Sequence, residues 1–75
     1  MTKGEYRVGI NFNPSGDDVV GKIKRQAADL IDLIFDVEDA SMNPERDAER
    51  KRLKALAMTC VEEGAMWAVK AATKA

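Results

Sequence analysis

The apolar positions of the chain fall into two long helical rhythms separated by a short break. Val20, Ile23, Ala27, Leu30, Ile31, Ile34 and Val37 recur at steps of three and four, which lays one apolar stripe along a helix over about residues 17–39. Leu33 and Phe35 widen the stripe near its end. Asn13-Pro14-Ser15-Gly16-Asp17-Asp18 is turn chemistry followed by helix-start chemistry. Ser15 or Asp17 can accept from the first free N–H groups, and two aspartates suit the positive end of the helix dipole. The break is Ala40-Ser41-Met42-Asn43-Pro44, where Asn43 caps and Pro44 fits a first helical position. A second helix is therefore predicted over about 44–73.

That second helix changes character along its length. Glu45 to Lys54 is mixed charge and reads as a solvated face with neighbouring ion pairs. From Leu53 onward, Leu53, Leu56, Ala57, Cys60, Gly64, Trp67, Ala68 and Ala71 make one stripe. Met58, Val61, Ala65, Met66, Val69 and Ala72 cover much of the remainder. A helix that is apolar all round is buried on several sides, more than one partner helix can cover. Ahead of the hairpin, Val8, Ile10 and Phe12 alternate with Gly9, Asn11 and Asn13. Gly4 and Gly9 weaken a strand there, and no second strand exists to pair with it. The expectation is an all-α fold in one domain, residues 1–75: an extended N-terminal arm over 1–15, then an antiparallel two-helix hairpin that oligomerises.

Composition sharpens this. The 75 residues are 45% hydrophobic but only 5% aromatic, so the core must come from Leu, Ile, Val, Met and Ala. Chains this small often need a metal, disulfides or oligomerisation to be stable. A single cysteine and no histidine exclude an intrachain disulfide and a thiolate–imidazole zinc site. Oligomerisation through residues 53–72 is left, with Gly64, Ala65 and Ala68 permitting close backbone approach. Cys60 reads as a buried, inert thiol. A net charge of −1 argues against general DNA or RNA binding, while a local basic cluster can still take a small phosphate ligand. No secretory leader or spanning run of about 18 apolar residues is seen, so an intracellular, reducing location is expected, with no membrane contact.

No catalytic set is present: no P-loop, no paired cysteines and no Gly-rich dinucleotide fingerprint. No metal site or cofactor is predicted. Asp29, Asp32, Asp36 and Asp39 share a helix face and read as solvated. One constellation is left. Tyr6 and Phe12 offer flat faces for stacking a base, while Lys22, Lys24 and Arg25, with Arg7 in the arm, offer hydrogen bonds to phosphate. Asn11, Asn13 and Ser15 add polar groups that suit ribose or base edges. The alternative is that the two aromatics merely pin the arm to the hairpin and the lysines are solvated.

The stretches "YRVG-x-x-FNPSG", "V-x-x-IK-x-x-A-x-x-LI" and "E-x-x-A-M-W-A-V-K-A-A-T" resemble the small bacteriophage and prophage sponge proteins that antagonise CBASS and Thoeris defence. The resemblance spans residues 6–74. It implies a non-enzymatic homo-oligomer, commonly a hexamer, that sequesters cyclic dinucleotides, cyclic trinucleotides or cyclic ADP-ribose derivatives in the cytoplasm of an infected bacterium. By motif, the family's dinucleotide-contacting tyrosine and lysine fall on Tyr6 and Lys24, with Lys22 a second candidate because the spacing between the two motifs is longer here. A trinucleotide pocket at a three-subunit junction would draw on Lys70 and Thr73. A different class of function also fits: an oligomerising helical-hairpin adaptor that docks on another protein and takes no small ligand. A small enzyme that degrades such messengers is a third.

Overall fold

The computed structural model describes residues 1–38 and 42–75; Asp39, Ala40 and Ser41, which the sequence reading assigned to a helix end, an acidic face and the break, lie outside the described residues. Among the described residues three helices follow in order: α1 (Lys3–Val8), α2 (Asp18–Phe35) and α3 (Pro44–Thr73). The described residues contain no strand.

The first correction concerns the arm, whose first half is helical rather than extended. Thr2 and Glu5 form a reciprocal cap: the Thr2 hydroxyl accepts from the Glu5 N–H at 3.1 Å, and the Glu5 carboxylate accepts from the Thr2 N–H at 2.8 Å. Gly9, at φ 64°, closes the helix in the left-handed region that glycine occupies without penalty. The alternation of Val8, Ile10 and Phe12 begins only where this helix ends. In α2 the Asp17 carboxylate accepts from the N–H groups of Val19 and Val20. In α3 the Asn43 side chain accepts from those of Glu45 and Arg46, with Pro44 in the first turn.

α2 and α3 run antiparallel. The end of α2 meets the early part of α3, where the Lys54 Nζ donates to the Val37 carbonyl at 2.8 Å. Val20 and Lys24, near the start of α2, share a groove with Val69 and Thr73, near the end of α3. α1 lies across α2, and Gly4 makes the crossing possible. A Cβ there would stand 2.0 Å from the Ala28 carbonyl oxygen, a hard overlap with backbone. The Gly4 N–H also donates to the Asp32 carboxylate at 2.7 Å.

The core is a thin seam of Val20, Ala28, Ile31, Met58 and Ala65, with the Lys24 side chain buried among them. The chain measures 50 × 22 × 12 Å, with a radius of gyration of 14.5 Å. A compact chain of this length would have a radius of about 11 Å. A slab little more than one helix thick cannot cover its apolar residues on both sides. The stripe singled out in the second helix accordingly faces outward: Leu53, Leu56, Cys60, Gly64, Trp67 and Ala71 are exposed. Cys60 is thus not the buried thiol expected of it. α3 turns Met58 and Ala65 inward instead. Leu30 and Leu33 of α2 are likewise exposed.

Candidate functional site

Two grooves adjoin where the turn after α1 passes between α2 and the end of α3. One, about 480 Å³, is lined by Phe12, Asn13, Pro14, Ser15, Val20, Lys24, Val69 and Thr73. The other, about 290 Å³, is lined by Val8, Phe12, Lys24, Glu62, Ala65, Met66 and Val69. Phe12, Lys24 and Val69 belong to both.

Local chemistry fixes this region. The Asn13 amide donates to the Asp17 carbonyl at 2.9 Å, and the Ser15 hydroxyl donates to the Asn13 side-chain oxygen at 3.3 Å. Gly16, at φ 64°, completes the turn into α2. The Thr73 hydroxyl donates to the Val69 carbonyl at 2.8 Å, one turn back along α3. The Lys24 ammonium donates to the carbonyls of Gly9, at 3.0 Å, and Phe12, and lies 5.4 Å from the centre of the Phe12 ring. The ring itself is 72% exposed.

The remaining candidates lie elsewhere. Tyr6 is 77% exposed on α1 and lines neither groove. Arg7 ties α1 to α3: its Nε donates to Glu62 at 2.6 Å and its Nη2 to the Thr59 hydroxyl at 3.2 Å. Arg25 bridges Glu5, at 2.8 Å, and Asp29, at 2.7 Å. Its guanidinium holds the Glu5 carboxyl at a pKa of about 2, with the Thr2 N–H assisting, while the two carboxylates raise the pKa of Arg25. Lys22 is exposed. Lys70 packs its ammonium 5.5 Å from the Trp67 ring centre, beside Glu63 and Met66 on another face of α3.

The structure therefore gathers Phe12, Asn13, Ser15, Lys24 and Thr73, and leaves Tyr6, Arg7, Lys22, Arg25 and Lys70 outside. It adds Val8, Glu62, Ala65, Met66 and Val69, which the sequence reading did not assign to the site. Positions 62, 65, 66 and 69 share one helical face, so their spacing could have marked them. The stripe through Trp67 carries more apolar bulk, so spacing alone does not favour the 62/65/66/69 face. The grooves present a ring, aliphatic walls, an amide, hydroxyls and an ammonium. No group of His, Cys, Asp or Glu that could hold a metal ion occurs among the described residues. Asp29 and Asp32 of the acidic face are committed to Arg25 and to the Gly4 N–H.

A family model described as the Acb2/Tad1 hairpin domain matches residues 4–73. The chain belongs to this family. Acb2/Tad1 proteins are the anti-CBASS and anti-Thoeris sponges of phages, which bind cyclic nucleotides rather than catalyse a reaction. The match begins at Gly4, the residue that seats α1 on α2, and runs to Thr73, the last residue of α3. Neither a curated protein nor a solved structure matches the chain. No helix among the described residues is long and apolar enough to cross a membrane.

Proposed function

We propose that this Acb2/Tad1 chain sequesters a cyclic nucleotide messenger intact, in pockets that copies of the chain complete for one another, in the cytoplasm of an infected bacterium. Cyclic dinucleotides are the leading ligands; cyclic trinucleotides and cyclic ADP-ribose derivatives are the others. Family membership over residues 4–73 carries the reading. Tyr6 and Phe12 supply stacking faces, each worth roughly 1–3 kcal/mol per base. Lys22 and Lys24 offset phosphate charge, with Arg7 and Arg25 beside them, and Asn13 and Ser15 serve ribose or base edges. Tyr6 lies outside the grooves and is exposed, which suits a ligand held between copies. Thr73, which shares a groove with Phe12, and Lys70 on the neighbouring face suit a second pocket at a junction of several copies.

Assembly is supported by the outward Leu53, Leu56, Gly64 and Trp67 on α3 and Leu30 and Leu33 on α2, which a slab of these dimensions leaves uncovered. We take the assembly to be a hexamer. The test is a thermal-shift screen with cyclic GMP–AMP, cyclic tri-adenylate and cyclic ADP-ribose. A ligand at 100 times its Kd stabilises the folded state by about 2.7 kcal/mol, enough for a rise of roughly 10–20 °C in a domain this size. Tyr6→Ala should abolish most of that rise without dissociating the oligomer. No rise with any of the three would instead favour an adaptor that docks on another protein through the same apolar stripe.

A further inference from the structure

From Arg50 to Ala71, α3 carries a seam: residues 50, 53, 57, 60, 64, 67 and 71 follow one another at alternating steps of three and four, the spacing of a seven-residue repeat. All are exposed except the half-buried Ala57, while α2 covers the side that holds Met58 and Ala65. Along one flank of the seam, seven residues apart, stand Glu49, Leu56, Glu63 and Lys70, all exposed. Such a seam packs against a second one, and its flanking charges select direction and register. Arg50 makes no ion pair among the described residues. Trp67 is 61% exposed, with the Lys70 ammonium 5.5 Å from its ring centre and the Glu63 carboxylate accepting from its N–H at 3.4 Å.

A second copy of the chain fits this seam, and the charges choose how it lies. In a parallel pair Arg50 would face Arg50. In an antiparallel pair one register sets Glu49 beside Lys70 of the other copy, twice by two-fold symmetry. A shift of one repeat in either direction sets Glu63 beside Glu63, or Glu49 beside Glu63, and like charges oppose pairing. We infer that two copies pair α3 against α3, antiparallel, with Glu49 of each beside Lys70 of the other and Arg50 of each on the Trp67 ring of the other. This deepens the assembly proposed above and rests on it, but not on any ligand. In the same register Gly64 faces Leu53 and Ala57 faces Cys60, a small residue against a larger one at each level. A guanidinium on an aromatic ring is a favourable contact, and Glu63, already at the edge of that ring, offsets its charge. Glu49 is bonded within its own turn by Arg52, an exposed pair that contributes little and leaves carboxylate acceptors for Lys70. Lys70 in turn keeps further N–H donors for a ligand at a junction of copies.

Charge exchange tests the register without a ligand. By sedimentation equilibrium, Glu49→Lys and Lys70→Glu should each weaken self-association about fivefold, because two attractive pairs turn repulsive. The double variant restores opposite charges and should return to within about twofold of the parent. Single variants that associate like the parent, or a double variant that does not recover, overturn the register. The second measurement uses the unaltered protein, so it decides even where a variant does not fold. Trp67 is the sole tryptophan, and quenching of its emission by acrylamide reports access to the seam. Quenching should fall as the concentration rises through association, and Arg50→Ala should raise it again. A Trp67 as accessible in the assembled protein as in the dilute one overturns the pairing, and so does a monomer at every concentration. If the charge exchange rescues assembly while no cyclic nucleotide binds, the sponge reading fails and the seam stands.

Discussion

Glu5 does two jobs in the arm. One carboxylate oxygen closes the cap of α1 on the Thr2 N–H, and the other meets Arg25 on α2 at 2.8 Å. The Arg25 bond, then the Thr2 N–H, lowers the Glu5 pKa from 4.5 to about 2. Between those two values the unfolded chain takes up protons that the folded chain does not. The contribution of Glu5 to stability is therefore complete above about pH 4.5 and is lost as the pH falls through about 2. We expect the Glu5 carboxyl carbon to titrate near 2 by NMR, and Glu5→Gln to remove the matching slope from a plot of stability against pH. A midpoint near 4.5 would show that the Glu5–Arg25 bond is absent in solution. At this scale the sequence was a partial guide. It marked Arg25 and Lys24 alike as available cations, since residue type alone does not say which way a side chain on α2 turns. The fold sends Lys24 into the core and Arg25 onto Glu5 and Asp29.

Two glycines make opposite predictions for their helices. Gly4 is pressed against the Ala28 backbone, so Gly4→Ala should force α1 off α2 and cost about 1–3 kcal/mol, the usual range for overpacking. The check is the urea midpoint together with amide exchange in α1; unchanged values would mean that α1 does not sit on α2 as described. Gly64, in the middle of α3, is exposed, and a Cβ there would meet nothing within 4 Å. Gly64→Ala should raise the intrinsic stability of α3 by about 1 kcal/mol, by the propensity difference alone. If the outward stripe is the seam between copies, it should also weaken self-association in sedimentation; unaffected self-association would place the seam elsewhere. At the element scale, caps and periodicity carried most of the information. Asp17 and Asn43 cap α2 and α3 through chemistry that residue type reveals. α1 was missed although Thr2-x-x-Glu5 is a capping-box pattern, because six residues with two glycines nearby hold no periodicity to read. The inward face of α3, marked by Met58 and Ala65, was left open by the sequence. An apolar helix with a single partner does not declare in sequence which side that partner takes.

Over the whole molecule, the all-helical hairpin and the family could both be read in advance, the first from two apolar rhythms and the second from the FNPSG turn with the AMWAVKA tail. The grooves could not, since they depend on how the turn after α1 lies across α2 and the end of α3. The same geometry explains why a chain with so thin a core leaves Leu33, Leu53, Leu56 and Trp67 in solvent. These side chains and the exposed rings of Tyr6 and Phe12 are intelligible together if assembly buries the first set and creates the setting for the second. Native mass spectrometry of the purified protein mixed with cyclic GMP–AMP, cyclic tri-adenylate and cyclic ADP-ribose, followed by heating and weighing of whatever is released, tests that idea most directly. The prediction is an oligomer carrying nucleotide, and a released molecule of unchanged mass. A nucleotide-free monomer, or a hydrolysed product, would contradict it.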